Sequence, residues 1–221
     1  MSEMYAEEGF SPAGAEIVDF TNLQGTNCYC DEENLKILSE SIGKGPFLNW
    51  IDSGDYHYLS ALTTLKTGEP FELVLFDHHT DRQQPEFDIL SCGGWVAWAE
   101  ECNPNLRHTV SIGPPATISP ETPIGTQEPS RSEEPFFHTG LPVYLSIDLD
   151  VLSPEEFHTN WDQGTMRLEE LASLAAAALQ GRRVLGVDVC GGVTRGKGAT
   201  DAQLAHNLAV RKQIISIFAV L

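Results

Sequence analysis

The stretch that most constrains this chain is an apolar run that ends abruptly in acids and imidazoles. Phe71-Glu72-Leu73-Val74-Leu75-Phe76 passes directly into Asp77-His78-His79-Thr80-Asp81. The first six residues read as a buried strand, bounded upstream by Gly68 and Pro70. Such a strand delivers its acids to one edge of a sheet, and in open α/β sheets the carboxyl edge is where ligands bind. Two carboxylates and two imidazoles in so short a run are costly to bury uncompensated. A cation is the simplest compensation.

A second run has the same form. Val143-Tyr144-Leu145-Ser146-Ile147-Asp148-Leu149-Asp150 is again an apolar strand ending in acids. Strand residues alternate faces, so Asp148 and Asp150 are expected to point the same way. Extended geometry would also place Asp77, His79 and Asp81 on one face, with His78 turned away. Carboxylates and imidazoles without a thiolate favour a hard or borderline ion such as Mn²⁺ over a structural Zn²⁺. The two runs together hold more ligands than one ion usually takes from protein, which points to a pair of ions.

The 221 residues suffice for one substantial core. Residues 1–14 read as a loose tail and 15–221 as a single α/β domain. Net charge is −19, and no basic patch offsets it, so a nucleic-acid partner is not expected. No apolar run reaches membrane-spanning length. Met1 to Gly9 lacks the basic and apolar regions of a signal peptide, and five cysteines without zinc-like spacing fit a reducing compartment. A cytoplasmic location is the expectation.

Along the chain, strands and helices alternate. Glu16 to Phe20 is a short candidate strand, and Asp31 is placed to cap a helix running to about Ile42. Phe47 to Ile51 reads as a strand, followed by the turn Asp52-Ser53-Gly54-Asp55-Tyr56-His57 and a helix to Lys66. His57 therefore follows a strand end, as the Asp77 run does, and is a candidate ligand. Trp95 to Cys102 reads as a helix and Thr109 to Ile112 as a strand. Residues 113–140 are rich in Pro, Ser, Thr, Glu and Gly, and form a long irregular loop over one face. Arg167 to Gln180 is a helix with Leu168, Leu171, Leu174, Ala175 and Ala178 on one side. Arg183 to Val189 is a strand carrying Asp188 near its end, and Asp201 to Leu221 a final helix. The alternation predicts a three-layer αβα fold with a mostly parallel sheet. His158, just past the second acidic strand, is placed to reach the pocket.

These motifs resemble the arginase/ureohydrolase superfamily, which includes arginase, agmatinase and formimidoylglutamase. Asp77-His78-His79-Thr80-Asp81 matches its Asp-x-His-x-Asp motif. Ser146-Ile147-Asp148-Leu149-Asp150, with Val151-Leu152-Ser153-Pro154 after it, is similar to its Ser-x-Asp-x-Asp motif and following turn. Ser53-Gly54-Asp55-Tyr56-His57 resembles the earlier Gly-Gly-Asp-His motif with one Tyr inserted. The likeness covers roughly residues 47 to 195, in the family's order. It implies an arginase/deacetylase-like fold and two Mn²⁺ ions. His57, Asp77, Asp81 and Asp148 would hold one ion, and Asp77, His79, Asp148 and Asp150 the other. It implies hydrolysis of a linear C–N bond in a small cationic guanidino or amidino substrate, by a hydroxide bridging the ions. Asp81 would relay the proton to the leaving amine. Val187-Asp188-Val189-Cys190-Gly191 stands where the family carries a Val-Glu-Val-Asn-Pro-like segment, which gives Asp188 the role of pairing with the substrate cation. Members commonly assemble as oligomers, so a homo-oligomer is expected.

Two other readings compete. Asp-His-His at a strand end also resembles the DHH phosphoesterases, although those carry Asp-x-Asp before the run and here it follows. A metal-binding protein without turnover is the third reading, since fold does not guarantee activity. Gly191 to Gly198 nearly spells a phosphate-binding loop, but Gly198 stands where a Ser or Thr hydroxyl is needed.

Overall fold

A computed structural model describes residues 2–43, 48–84, 89–114 and 140–218. Its strands are β1 (Tyr29–Cys30), β2 (Leu48–Trp50), β3 (Phe71–Phe76), β4 (Leu90–Ser91), β5 (Leu106–Ile112), β6 (Val143–Asp148) and β7 (Val184–Cys190). Its α-helices are α1 (Met4–Glu8), α2 (Glu32–Ser41), α3 (Leu59–Thr64), α4 (Trp95–Cys102), α5 (Leu168–Leu179) and α6 (Asp201–Phe218). Five strands form one sheet in the order β2-β7-β6-β3-β5, with every neighbouring pair parallel. β1 and β4 make a separate two-residue antiparallel ladder.

The sheet is covered on both faces, which is why its central strands are apolar throughout rather than alternating. Val74 and Phe76 of β3, Leu145 and Ile147 of β6, and Val187 and Val189 of β7 pack against Leu171 and Ala175 of α5 and Val210 and Ile214 of α6. Leu73, Leu75, Tyr144 and Cys190 belong to the opposite face, with Leu38 of α2, Leu62 of α3, and Trp95 and Ala99 of α4. The three-layer αβα arrangement expected from the alternation is present. Asp31 caps α2 as expected, its Oδ1 accepting from the Asn34 N–H at 2.8 Å.

Three expectations need correction. Residues 2–10 are not a loose tail. α1 buries Met4 and Glu8, and Glu8 Oε2 lies 2.5 Å from Nε of the fully buried Arg211 on α6. Five residues make no stable helix alone, so the tertiary contacts hold it. Residues 16–20 form no strand: Ile17 is 78% exposed, and no described strand pairs with them. β6 stops at Asp148, and Asp150 sits in a 3-10 turn rather than on the strand. Most of the expected loop at 113–140 lies outside the described residues, as do Phe47 and the last three residues of the expected final helix.

Candidate metal centre

β7, β6 and β3 are adjacent and parallel, so their carboxyl ends arrive side by side. On the face covered by α3 and α4, side-chain alternation carries one residue of each strand to the edge: Asp77 after β3, Asp148 at the end of β6 and Cys190 at the end of β7. Asp148 and Cys190 are direct register partners. The short turn and 3-10 segment after β2 add His57, which is buried.

His57 Nδ1 lies 3.2 Å from Asp77 Oδ2, 3.2 Å from Asp81 Oδ2 and 3.5 Å from Asp148 Oδ2. Asp81 reaches back to this point through a left-handed backbone conformation (φ 49°), which Asp tolerates better than most residues. The Trp95 indole N–H donates to Asp81 Oδ2 at 2.7 Å and holds it there. A second group forms alongside. His79 Nδ1 lies 2.9 Å from Asp150 Oδ2 and 3.5 Å from Asp77 Oδ1, so Asp77 has one oxygen toward each group. The Asp150 N–H donates to Asp148 Oδ1 at 2.9 Å, and the His78 N–H to Asp150 Oδ1 at 3.0 Å.

Both histidines present the same nitrogen inward. His57 Nε2 is 2.9 Å from Ser146 Oγ, and His79 Nε2 is 3.1 Å from Asp162 Oδ1. An outward hydrogen bond on Nε2 leaves the Nδ1 lone pair for a ligand, the usual arrangement of a metal-binding imidazole. His57 Nδ1 and Asp77 Oδ2 are buried with no hydrogen-bond partner. Buried polar groups are normally paired, and a cation between them resolves the defect. Among the described residues, His57, Asp77 and Asp81 form one group suited to an ion, Asp77, His79 and Asp150 another, and His57, Asp148 and Cys190 a third.

The electrostatics agree. Burial, then the charge of Asp150, pushes Asp148 up to about 7. Burial and the charge of Asp77 push Asp150 up to about 6. Hydrogen bonds that His79 donates to the Asp150 and Asp77 carboxylates push its pKa up to about 12. Burial works against charge on His57, yet Cys190, Asp77 and Asp81 hold its pKa well above the usual imidazole value. The centre is short of positive charge and retains protons in its place.

A cavity of about 200 Å³ opens onto this centre, lined by Asp77, His79, Asp81, Asp148 and Asp150 and walled by Trp161, Gln83 and Cys92. A side chain at Gly54 would fill its floor, meeting Asp148 Oδ2 at 2.9 Å and the Trp161 ring at 3.0 Å.

Thus His57, Asp77, His79, Asp81, Asp148 and Asp150 converge. Asp188 and His158 do not join them. Asp188 is on the same face of β7 but one pleat deeper, paired in register with Ser146. Its Oδ1 accepts from Asn49 at 2.6 Å and Tyr144 at 2.9 Å, and its Oδ2 from Thr63 at 2.6 Å. His158 packs on His206 of α6, and its N–H donates to Asn207. His78 is not far from the site, since its Nε2 lies 3.6 Å from Asp162. Cys190 had no place in a thiolate-free donor set. Its sequence signal is the Asp188-Val189-Cys190 spacing, which places the thiol one step above Asp188 toward the edge.

No family profile matches the sequence. An uncharacterised protein of Thermotoga maritima is 28% identical over 199 residues, spanning 85% of this chain and 75% of that one. Solved structures also resemble this chain. Proclavaminate amidino hydrolase from Streptomyces clavuligerus superimposes with a TM-score of 0.63 at 14% identity, over 85% of this chain and 70% of that one. A hypothetical agmatinase from Burkholderia thailandensis gives 0.59 at 18% identity, over 78% and 58%. Arginase from Medicago truncatula gives 0.57 at 18%, over 82% and 64%. This is the arginase fold. The chain spans less than two thirds of the Burkholderia and Medicago proteins that share this fold. No helix among the described residues is long and apolar enough to cross a membrane.

Proposed function

We propose that the protein is a divergent ureohydrolase that holds two divalent cations, Mn²⁺ in the first instance, and hydrolyses a linear C–N bond in a small guanidino or amidino compound. The observation that carries this reading is the pair of Nδ1-presenting histidines sharing Asp77, with His57 Nδ1 and Asp77 Oδ2 buried and unpartnered. His57, Asp77, Asp81 and Asp148 would hold one ion, and Asp77, His79, Asp148 and Asp150 the other. Bound cations supply Lewis acidity, which makes water nucleophilic near neutral pH. The chain does the rest. Asp77, Asp81, Asp148 and Asp150 line the base of the cavity and would serve as the ions' ligands, and the Trp161 ring on the wall offers a face on which a planar cation can stack. Asp81, oriented by Trp95, carries a proton to the leaving amine.

The cavity is smaller than the ~300–1,000 Å³ typical of pockets for drug-sized ligands, which sets the size of the screen. The test is metal analysis of protein loaded with Mn²⁺, then assay of ammonia and urea release from a panel of small guanidines and amidines. Two ions per chain with release from at least one compound is expected. Failure to bind metal overturns the reading. Two bound ions with no release across the panel favours a metal-binding protein without turnover, a reading that the closed hydrogen-bond set around Asp188 also supports. The motif order, with Asp148 and Asp150 after the Asp77 run, gives no support to a DHH-type phosphoesterase. Cytoplasmic location and homo-oligomer formation belong to the same proposal. Sedimentation of the metal-loaded protein tests the second.

A further inference from the structure

We propose that Cys190 is a thiolate ligand in the His57 half of the centre, and that it turns that half toward a softer ion than Mn²⁺. The inference rests on the binuclear reading above. Cys190 ends β7, is 1% exposed and is the register partner of Asp148. Its Sγ lies 3.1 Å from Asp148 Oδ2, the oxygen that is itself 3.5 Å from His57 Nδ1. Cys190, Asp148 and a His57 ring nitrogen all lie within 4.8 Å of one another. The buried, unpartnered His57 Nδ1 and the Cys190 thiol thus approach the same Asp148 oxygen, so the thiol does not stand alone.

The backbone supports this placement. Gly191 follows with φ +99°, and a Cβ there would meet Asp148 Oδ1 at 2.7 Å, so only glycine lets β7 end this close to the β6 carboxylate. Arg211 Nη2 donates to the Gly191 carbonyl at 2.8 Å from the other side of the strand. The two halves of the centre then differ in donors. The His79 half has imidazole and carboxylate oxygen only. The His57 half adds sulfur, and thiolate ligands favour Zn²⁺ and similar borderline ions over Mn²⁺. As the sulfur–metal bond forms, the thiol proton leaves to solvent. A mixed pair of ions follows, with the softer one beside Cys190.

Cobalt reports this directly, because thiolate coordination to Co²⁺ produces a near-ultraviolet charge-transfer band that oxygen and nitrogen ligands do not. Purified protein is stripped, loaded with Co²⁺, and its metal content and absorption are measured for wild type, Cys190→Ser and the Cys28→Ser/Cys92→Ser double variant. The double variant controls for Cys28 and Cys92, the two thiols that line the cavity. The expected result is the band in wild type and in the double variant, and its loss in Cys190→Ser. Cys190→Ser is also expected to lose roughly tenfold or more in affinity for Co²⁺ relative to Mn²⁺, at least what outer-shell changes cost. Two bound Co²⁺ ions with no band, or a band that survives Cys190→Ser, overturns the thiolate ligand and leaves the binuclear centre standing. No bound Co²⁺ overturns both.

Discussion

Asp148 and Asp188 stand on the same face of neighbouring strands, one pleat apart in depth. Both are almost fully buried, and burial raises the pKa of both. Around Asp188 the protein supplies Asn49, Thr63 and Tyr144, three donors that close the site. Around Asp148 it supplies further acids, a thiol and the unsatisfied edge of His57. The lower layer is complete as folded. The upper layer is complete only with added positive charge. A buried acid near a strand end is therefore not by itself a sign of function; what matters is whether the surrounding groups already answer it.

The contrast predicts opposite outcomes for the two acids. The largest effect is expected from Asp148→Ala. Metal stoichiometry should fall below two, and any C–N hydrolysis should drop to background. The metal-free protein should melt close to wild type, because relief of the crowded carboxylates offsets the lost acceptor of the Asp150 N–H. A clear fall in its melting temperature would show that Asp148 is structural, like Asp188. Asp188→Ala should behave in reverse. Leaving Asn49, Thr63 and Tyr144 without their acceptor is expected to cost about 3 kcal/mol or more in urea unfolding, while two ions still bind at saturating metal. Loss of metal in a folded Asp188 variant would place it in the centre after all.

A smaller effect is expected from Trp95→Phe, which keeps the ring and deletes the N–H on Asp81. Affinity at the His57 half should weaken by ~10- to 100-fold with the fold intact, measured by metal titration. A separate test is the pH dependence of the metal-free protein. Asp148 and Asp150 titrate at about 7 and 6 when folded, against 3.8 when free. The folded state thus binds more protons than the unfolded one, and stability should fall as pH rises from about 4 to 7. His79, raised from 6.5 to about 12, continues the fall above neutrality. Melting curves with and without Mn²⁺ check the sign: bound ions compete with those protons and should reverse the slope.

Much of this was readable from residue order. The apolar run before Asp77, the Asp31 cap and the spaced leucines of α5 are local signals, and the structure places the elements where they point. The convergence of Asp77, His79, Asp148 and Asp150 followed from strands ending in acids. What could not be read depended on which strands are neighbours. Whether Asp188 sits at the edge or one pleat below it is decided by its register with Ser146, and Cys190 becomes a candidate ligand only once β7 lies beside β6. Residues 16–20 carry strand-like composition but meet no free edge. α1 is too short to announce itself, and its place depends on Arg211, 203 residues beyond Glu8.

Arg211 gives that last contact a wider meaning. Its guanidinium holds Glu8 with one side and the Gly191 carbonyl with the other, while the rings of Tyr5, Phe10, Trp50 and Phe157 enclose it. The opening helix thereby braces the very turn that presents Cys190. Altering the chain ahead of Glu8 is consequently a change to the neighbourhood of the Asp148–Cys190 cluster made from the back of the molecule, and it should be read as one.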